Sequence, residues 1–142
     1  MSLTFYHVQQ LSRDLSQYLN QSLADEEISM SHWAVIFQLH HHGAMTQTDL
    51  KNRLNIEAPP LSRTLRKLEQ LGYIHKSSGM DKRTNDISLS EKGEKRFPIW
   101  QEAIKEAEGR LRSGLGEEGE RILDRQVREL TRIIREERGG GF

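Results

Sequence analysis

Residues 55–89 leave this chain few ways to fold. Two adjacent prolines, Pro59 and Pro60, open a run in which Leu61, Leu65 and Leu68 recur at i, i+4 and i+7, the interval of a helix with one buried side. A helix accepts proline most readily in its first turn, where backbone N–H groups lack an intrahelical acceptor, so the spacing predicts a helix over 58–71 that begins at the prolines. At roughly 100° per residue, Pro59, Ser62, Arg63, Arg66 and Gln70 fall opposite the leucines. That outward side is cationic at its centre and rich in hydrogen-bonding groups. Gly72 is placed to end the helix, because glycine enters the left-handed conformation that helix ends often need. Beyond it, 73–76 and 86–89 read as two strands around a tip over 79–85 that carries Asp81, Lys82 and Arg83.

Upstream, Thr46 and Asp49 have the spacing of a capping box, with Asp in the place of the usual Glu or Gln, and open a short helix through Leu50 and Leu54. Residues 55–57 then turn the chain into the prolines, which completes a helix-turn-helix over a small core of Leu50, Leu54, Ile56, Leu61, Leu65 and Leu68. A stiff, unobstructed N-terminal end suits a helix that enters a DNA groove. Pro59, Ser62, Arg63 and Arg66 are the candidates for contact there. An arginine on a hairpin tip suits a narrow minor groove, where its planar guanidinium meets concentrated negative potential. Asp81 is placed to hold Arg83 by a charge-assisted hydrogen bond. Lys76 and Lys82 are candidates for phosphate contact, as are Gln47 and Thr48 at the start of the supporting helix.

Formal net charge over the 142 residues is zero, which by itself argues against a polyanionic partner. Its distribution reverses that argument. Residues 1–50 hold one Arg against five acids, net −4; residues 51–96 hold eleven Lys and Arg against six acids, net +5; residues 97–142 hold nine against ten, net −1. The positive charge is concentrated in the segment proposed to face DNA. With no cysteine, disulfides, thiolate-bound zinc and thiol redox sensing are excluded. No apolar run approaches the ~20 residues of a membrane span, and the opening residues lack the basic-then-apolar pattern of a signal peptide, so a cytoplasmic location is expected.

The flanks are helical. Tyr6, Leu11, Leu15, Tyr18, Leu19 and Leu23 predict a first helix of about five turns, ending in Asp25, Glu26 and Glu27. Ser29 or Ser31 is placed to cap a second, containing Trp33, Val35, Ile36, Phe37 and Leu39 and ended by Gly43. Ser90 begins a further helix with Phe97, Ile99, Trp100, Ile104 and Leu111 at its apolar positions and Pro98 within its early turns or kinking it. Gly114, Gly116 and Gly119 are expected to break the run before a last helix striped with Ile122, Leu123, Val127, Leu130, Ile133 and Ile134. Such a stripe on a terminal helix calls for a partner helix. The expected division is an N-terminal helix over 1–28, a DNA-reading domain over 29–96, C-terminal helices over 97–138 and a flexible tail over 139–142.

Leu61-Ser62-Arg63, Leu68-Glu69-Gln70-Leu71-Gly72, Asp81-Lys82-Arg83 and Leu89-Ser90-Glu91-Lys92-Gly93, in this order between strand and helix, resemble the winged helix-turn-helix of the MarR family of bacterial transcriptional regulators. The resemblance covers nearly the whole chain. It implies a mainly α (α+β) fold, a winged helix-turn-helix with flanking helices forming a dimerisation domain. It further implies a homodimer on double-stranded DNA with a pseudo-palindromic operator, most simply as a repressor. Many proteins similar to this one bind aromatic or phenolic anions near the dimer scaffold, which makes Trp33, Phe37 and Trp100 candidates for a small-molecule effector pocket, although aromatics at helical spacing more often form plain core.

His40, His41 and His42 invite a metal reading, but adjacent helical residues point ~100° apart and cannot converge on one ion. A polar helix end is the better reading of them. No phosphate loop, zinc spacing or nucleophile elbow is present, so neither a cofactor nor an enzymatic activity is expected. The competing expectation for the same fold is a winged-helix protein-interaction module without DNA binding.

Overall fold

Capping and hydrophobic periodicity place most of the elements. In the computed structural model, which describes residues 1–78 and 85–140, the order is α1 (Thr4–Ser22), α2 (Met30–His42), β1 (Met45–Thr46), α3 (Gln47–Leu54), α4 (Ala58–Gln70), β2 (Ile74–Ser78), β3 (Asn85–Leu89), α5 (Glu91–Leu115) and α6 (Glu117–Gly140). The chain divides into two units, Met1–Ile104 and Lys105–Phe142. The N-terminal helix lies in the first of these units. No helix among the described residues is long and apolar enough to cross a membrane.

In the first unit, α3 starts with a reciprocal cap. The Asp49 backbone N–H donates to Thr46 Oγ1 at 3.1 Å, and the Thr46 backbone N–H donates to Asp49 Oδ2 at 3.2 Å. This satisfies two otherwise orphan donors. Asn55, in the left-handed conformation at φ 53°, ends α3 and turns the chain into the prolines of α4. At the far end of α4, Gly72 takes φ +83°, which lets the Tyr73 N–H reach back to the Leu68 carbonyl at 3.0 Å and the Gly72 N–H to Glu69 at 3.0 Å. That is the Schellman closure expected of a glycine stop.

Leu61, Leu65 and Leu68 are fully buried with Leu50, Val35 and Ile36. Ile56 is not; at 37% exposure it lies in the turn, so its apolar character does not place it in the helix-turn-helix core. Ile99 and Leu111 are likewise exposed, and the buried side of α5 runs through Phe97, Trp100, Ile104 and Ala107.

The sheet is antiparallel in the order β1-β3-β2, with Met45 opposite Ile87 and Ile74 opposite Leu89. The two-residue β1 has no sequence signal of its own. β2 and β3 extend to Ser78 and Asn85, beyond the strand ends expected from β-propensity, because each added pair completes the ladder with the other strand.

Ser29 caps α2, its backbone N–H donating to His32 Nδ1 at 2.9 Å, while Asn20 Oδ1 accepts the next N–H, that of Met30, at 2.7 Å. The acidic turn after α1 is tied down from two sides: Glu26 pairs with Arg96, and the Tyr73 hydroxyl donates to Glu27 Oε2 at 3.4 Å. Burial first, then the Glu27 carboxylate, push the Tyr73 phenol above its ordinary range.

In the second unit, only Gly116, at φ +82°, separates α5 from α6; Gly114 and Gly119 are helical, contrary to the expectation that all three break the run. Glycine costs a helix only about 1 kcal/mol relative to alanine, which the surrounding turns outweigh. Arg112 staples the joint, its Nε donating to Glu120 Oε1 at 2.8 Å and its Nη2 to Glu108 Oε2 at 3.1 Å. Along α6, Arg128 pairs with Asp124 at 2.9 Å, and Arg132 with Glu129 and Glu136 at 2.5 and 2.7 Å. The helix continues through Gly139 to Gly140, past the expected start of a tail at 139.

Candidate nucleic-acid interface

The geometry of α4 follows from its two unlike sides. Its leucine side is fully buried, while Pro59, Arg63, Arg66 and Gln70 are exposed on the other and Ser62 is half-buried between. Neither Arg63 nor Arg66 makes an ion pair with any described residue, whereas Arg121, Arg128 and Arg132 of α6 do. Two guanidinium groups that no described carboxylate neutralises thus project from one exposed helix side. Guanidinium presents donors in a fixed planar fork that matches phosphate oxygens and the edge of guanine.

Ser62 does not stand alone. The Gln47 side chain, on the first residue of α3, donates from Nε2 to Ser62 Oγ at 2.8 Å. This bond joins two residues fifteen positions apart and fixes how the N-terminal end of α3 meets the outward side of α4. Sequence reasoning placed both residues in the interface but did not pair them. Thr48, next along α3, is exposed, as is Lys76 on β2. Asp81, Lys82 and Arg83 lie outside the described residues.

The candidate pocket residues sit elsewhere. Trp33 is buried with its ring stacked on Phe97 at 5.0 Å, and Trp100 is wholly buried against the Tyr73 ring at 4.8 Å. Phe37, 38% exposed, lies at the margin with its ring 5.8 Å from Trp33. Core packing accounts for the two tryptophans. His40 stacks on Phe97 at 3.6 Å and its Nδ1 lies 3.0 Å from Glu94, so the histidine run at the end of α2 packs rather than converges. Among the described residues no group of three metal-ligating side chains is assembled.

Comparisons with known proteins agree with this architecture. The family model for the MarR family matches residues 28–84. YwoH, an uncharacterized HTH-type transcriptional regulator of Bacillus subtilis (strain 168), is 32% identical over 92 residues, which span 65% of this chain and 67% of that protein. The crystal structure of the transcriptional regulator PA4135 superimposes with a TM-score of 0.78 at 27% identity, over 94% of this chain and 98% of that one. The S. aureus MepR–DNA complex shares the fold, with a TM-score of 0.82 at 24% identity over 91% of this chain and 96% of its own. A sequence match across the reading head and a fold match across nearly the whole chain lead to one assignment: this protein belongs to the MarR family of transcriptional regulators.

Proposed function

We propose that the protein binds double-stranded DNA as a homodimer and regulates transcription from the bound site, most simply by blocking access to a promoter. The observation that carries this reading is the exposed arginine couple of α4, Arg63 and Arg66, neither ion-paired with a described residue, on a helix whose other side is locked into the core. α4 enters a major groove by its proline end, bringing Pro59, Ser62, Arg63 and Arg66 to the bases and flanking phosphates. Gln47, Thr48 and Lys76 meet the backbone. Asp81, Lys82 and Arg83 are assigned to the adjoining minor groove, where an arginine meets concentrated negative potential.

A second copy covers the exposed apolar residues of α1, Phe5, Tyr6, Val8, Leu11 and Leu15, and those of α6, Ile122, Val127, Ile133 and Ile134. Two-fold symmetry then demands a pseudo-palindromic site with half-sites about one helical turn apart. The MepR–DNA complex supports this reading, because that protein binds DNA with the same fold.

The test is selection of preferred duplexes from a random-sequence pool, followed by salt titration of the best one. Phosphate-mediated binding weakens with a slope in log K against log salt of ~0.9 per phosphate contact. A pool that yields no preferred duplex, with affinity nearly indifferent to salt, would instead identify a protein-interaction module. Arg83→Ala is expected to weaken binding to the selected duplex while the dimer stays intact.

A further inference from the structure

The last carbonyls of a helix have no intrahelical donor and must be satisfied from outside. Beyond the Schellman closure of α4, the carbonyls of the residues that leave the helix are supplied by the start of α5. Three successive carbonyls of the glycine stop are taken in turn. Lys92 Nζ donates to Leu71 O at 2.8 Å, Ser90 Oγ to Gly72 O at 2.5 Å, and the Ser90 backbone N–H to Tyr73 O at 2.9 Å. Ser90 Oγ also accepts the Gly93 N–H at 3.0 Å, so one buried hydroxyl caps α5 and grips the exit of α4 together.

Contact at the junction is close enough to prevent sliding. A Cβ on Gly93 would lie 2.4 Å from Tyr73 O, and the Lys92 ammonium sits 4.8 Å above the Tyr73 ring. Tyr73 is itself held on its other sides by Trp100 and Glu27.

From this geometry we infer that Ser90, Lys92 and Gly93 are positioning residues for DNA recognition: they lock the exit of α4 to the first turn of α5, so that the direction in which α4 presents Arg63 and Arg66 is set by α5. The inference rests on the DNA-binding reading above. A rotation of the first turn of α5 is carried into α4, because three hydrogen bonds and the close approach of Gly93 to Tyr73 O couple the two. In a two-fold dimer the directions of the two copies of α4 define the half-site spacing that fits both. The junction therefore acts on spacing selectivity rather than on base contact. This also gives a physical role to the Leu89-Ser90-Glu91-Lys92-Gly93 run that ends β3 and opens α5.

The experiment uses the full-length dimer, duplexes selected from a random-sequence pool, and poly(dI-dC) as the non-specific probe. Ser90→Ala and Lys92→Met are expected to lose about tenfold in affinity for the duplexes that the wild type selects, and on reselection to accept a broader range of half-site spacings. Affinity for poly(dI-dC) and its salt slope stay unchanged, and Ser90→Thr, which keeps the hydroxyl, restores the wild-type spacing profile. Unchanged affinity and spacing in both variants would overturn the inference. So would an equal fall on both probes in Lys92→Met, since that would make Lys92 a phosphate contact.

Amide hydrogen exchange on the free dimer provides an arm that needs no DNA. Faster exchange confined to residues 66–75 in the variants supports the lock, and unchanged exchange there refutes it. A wild type that selects no duplex would sink the DNA-binding reading, and with it the role in spacing, while the exchange arm still decides whether the lock exists.

Discussion

Gln47 and Ser62 are joined by a 2.8 Å hydrogen bond between the first residue of α3 and the outward side of α4. The bond occupies the serine hydroxyl and directs it before any DNA arrives. Gln47→Ala and Ser62→Ala are each expected to weaken binding to a selected duplex severalfold. Their double variant is expected to show a coupling of about 0.5–1.5 kcal/mol. Strict additivity in the double-mutant cycle would mean that the two side chains act separately.

The exposed arginines separate by salt dependence. Arg63→Ala and Arg66→Ala are both expected to weaken binding, but a residue that pairs with a guanine edge contributes ~1–3 kcal/mol of discrimination at one position of the site. A phosphate partner instead lowers affinity evenly across sequences and reduces the salt slope by ~0.9. Measuring both variants against single-base substitutions of the selected duplex assigns each arginine to one role.

Val127 and Ile134 are 53% and 47% exposed on α6. A charge at either position costs the isolated protomer little but is buried unpaired in the proposed dimer. Val127→Glu combined with Ile134→Glu is therefore expected to sediment as a monomer, to keep its helical circular dichroism, and to lose most of its affinity for a two-half-site duplex. A dimer that survives this pair of substitutions would remove α6 from the interface.

His32 makes folding sensitive to acid. Its Nδ1 accepts the Ser29 backbone N–H, so the neutral ring carries its proton on Nε2. Burial first, and Lys67 second, hold the imidazole below its ordinary value of 6.5. The unfolded chain then binds a proton more readily than the folded one. The stability that depends on a neutral ring is complete above about pH 6.5 and is lost as pH falls through the lower folded value. The melting temperature of the wild type is expected to drop more steeply than that of His32→Gln between about pH 7 and pH 5. Parallel profiles for the two proteins would show that His32 carries none of the acid sensitivity.

Much of this architecture is legible along the chain. The leucine interval at Leu61, Leu65 and Leu68 located α4, the Thr46–Asp49 spacing located the start of α3, and Gly72 marked the end of α4, because each of these signals acts within about a turn of backbone. Ile56 misled: hydrophobicity says that a residue favours burial, not that the turn holding it faces the core. Gly114 and Gly119 misled for a related reason, since a break signal is only a small local cost that neighbouring helical turns can outweigh.

From sequence alone come the helices, their caps, the basic outward side of α4 and the family resemblance, all of which depend on neighbours a few positions apart. Tertiary structure decided the pairing of Gln47 with Ser62, the two-residue β1 that exists only because β3 lies beside it, and the capture of the carbonyls at 71–73 by Ser90 and Lys92. The physical reason is common to all three. A backbone or side-chain donor joins whichever acceptor the closed fold brings within about 3 Å, and that choice is made only when distant segments meet.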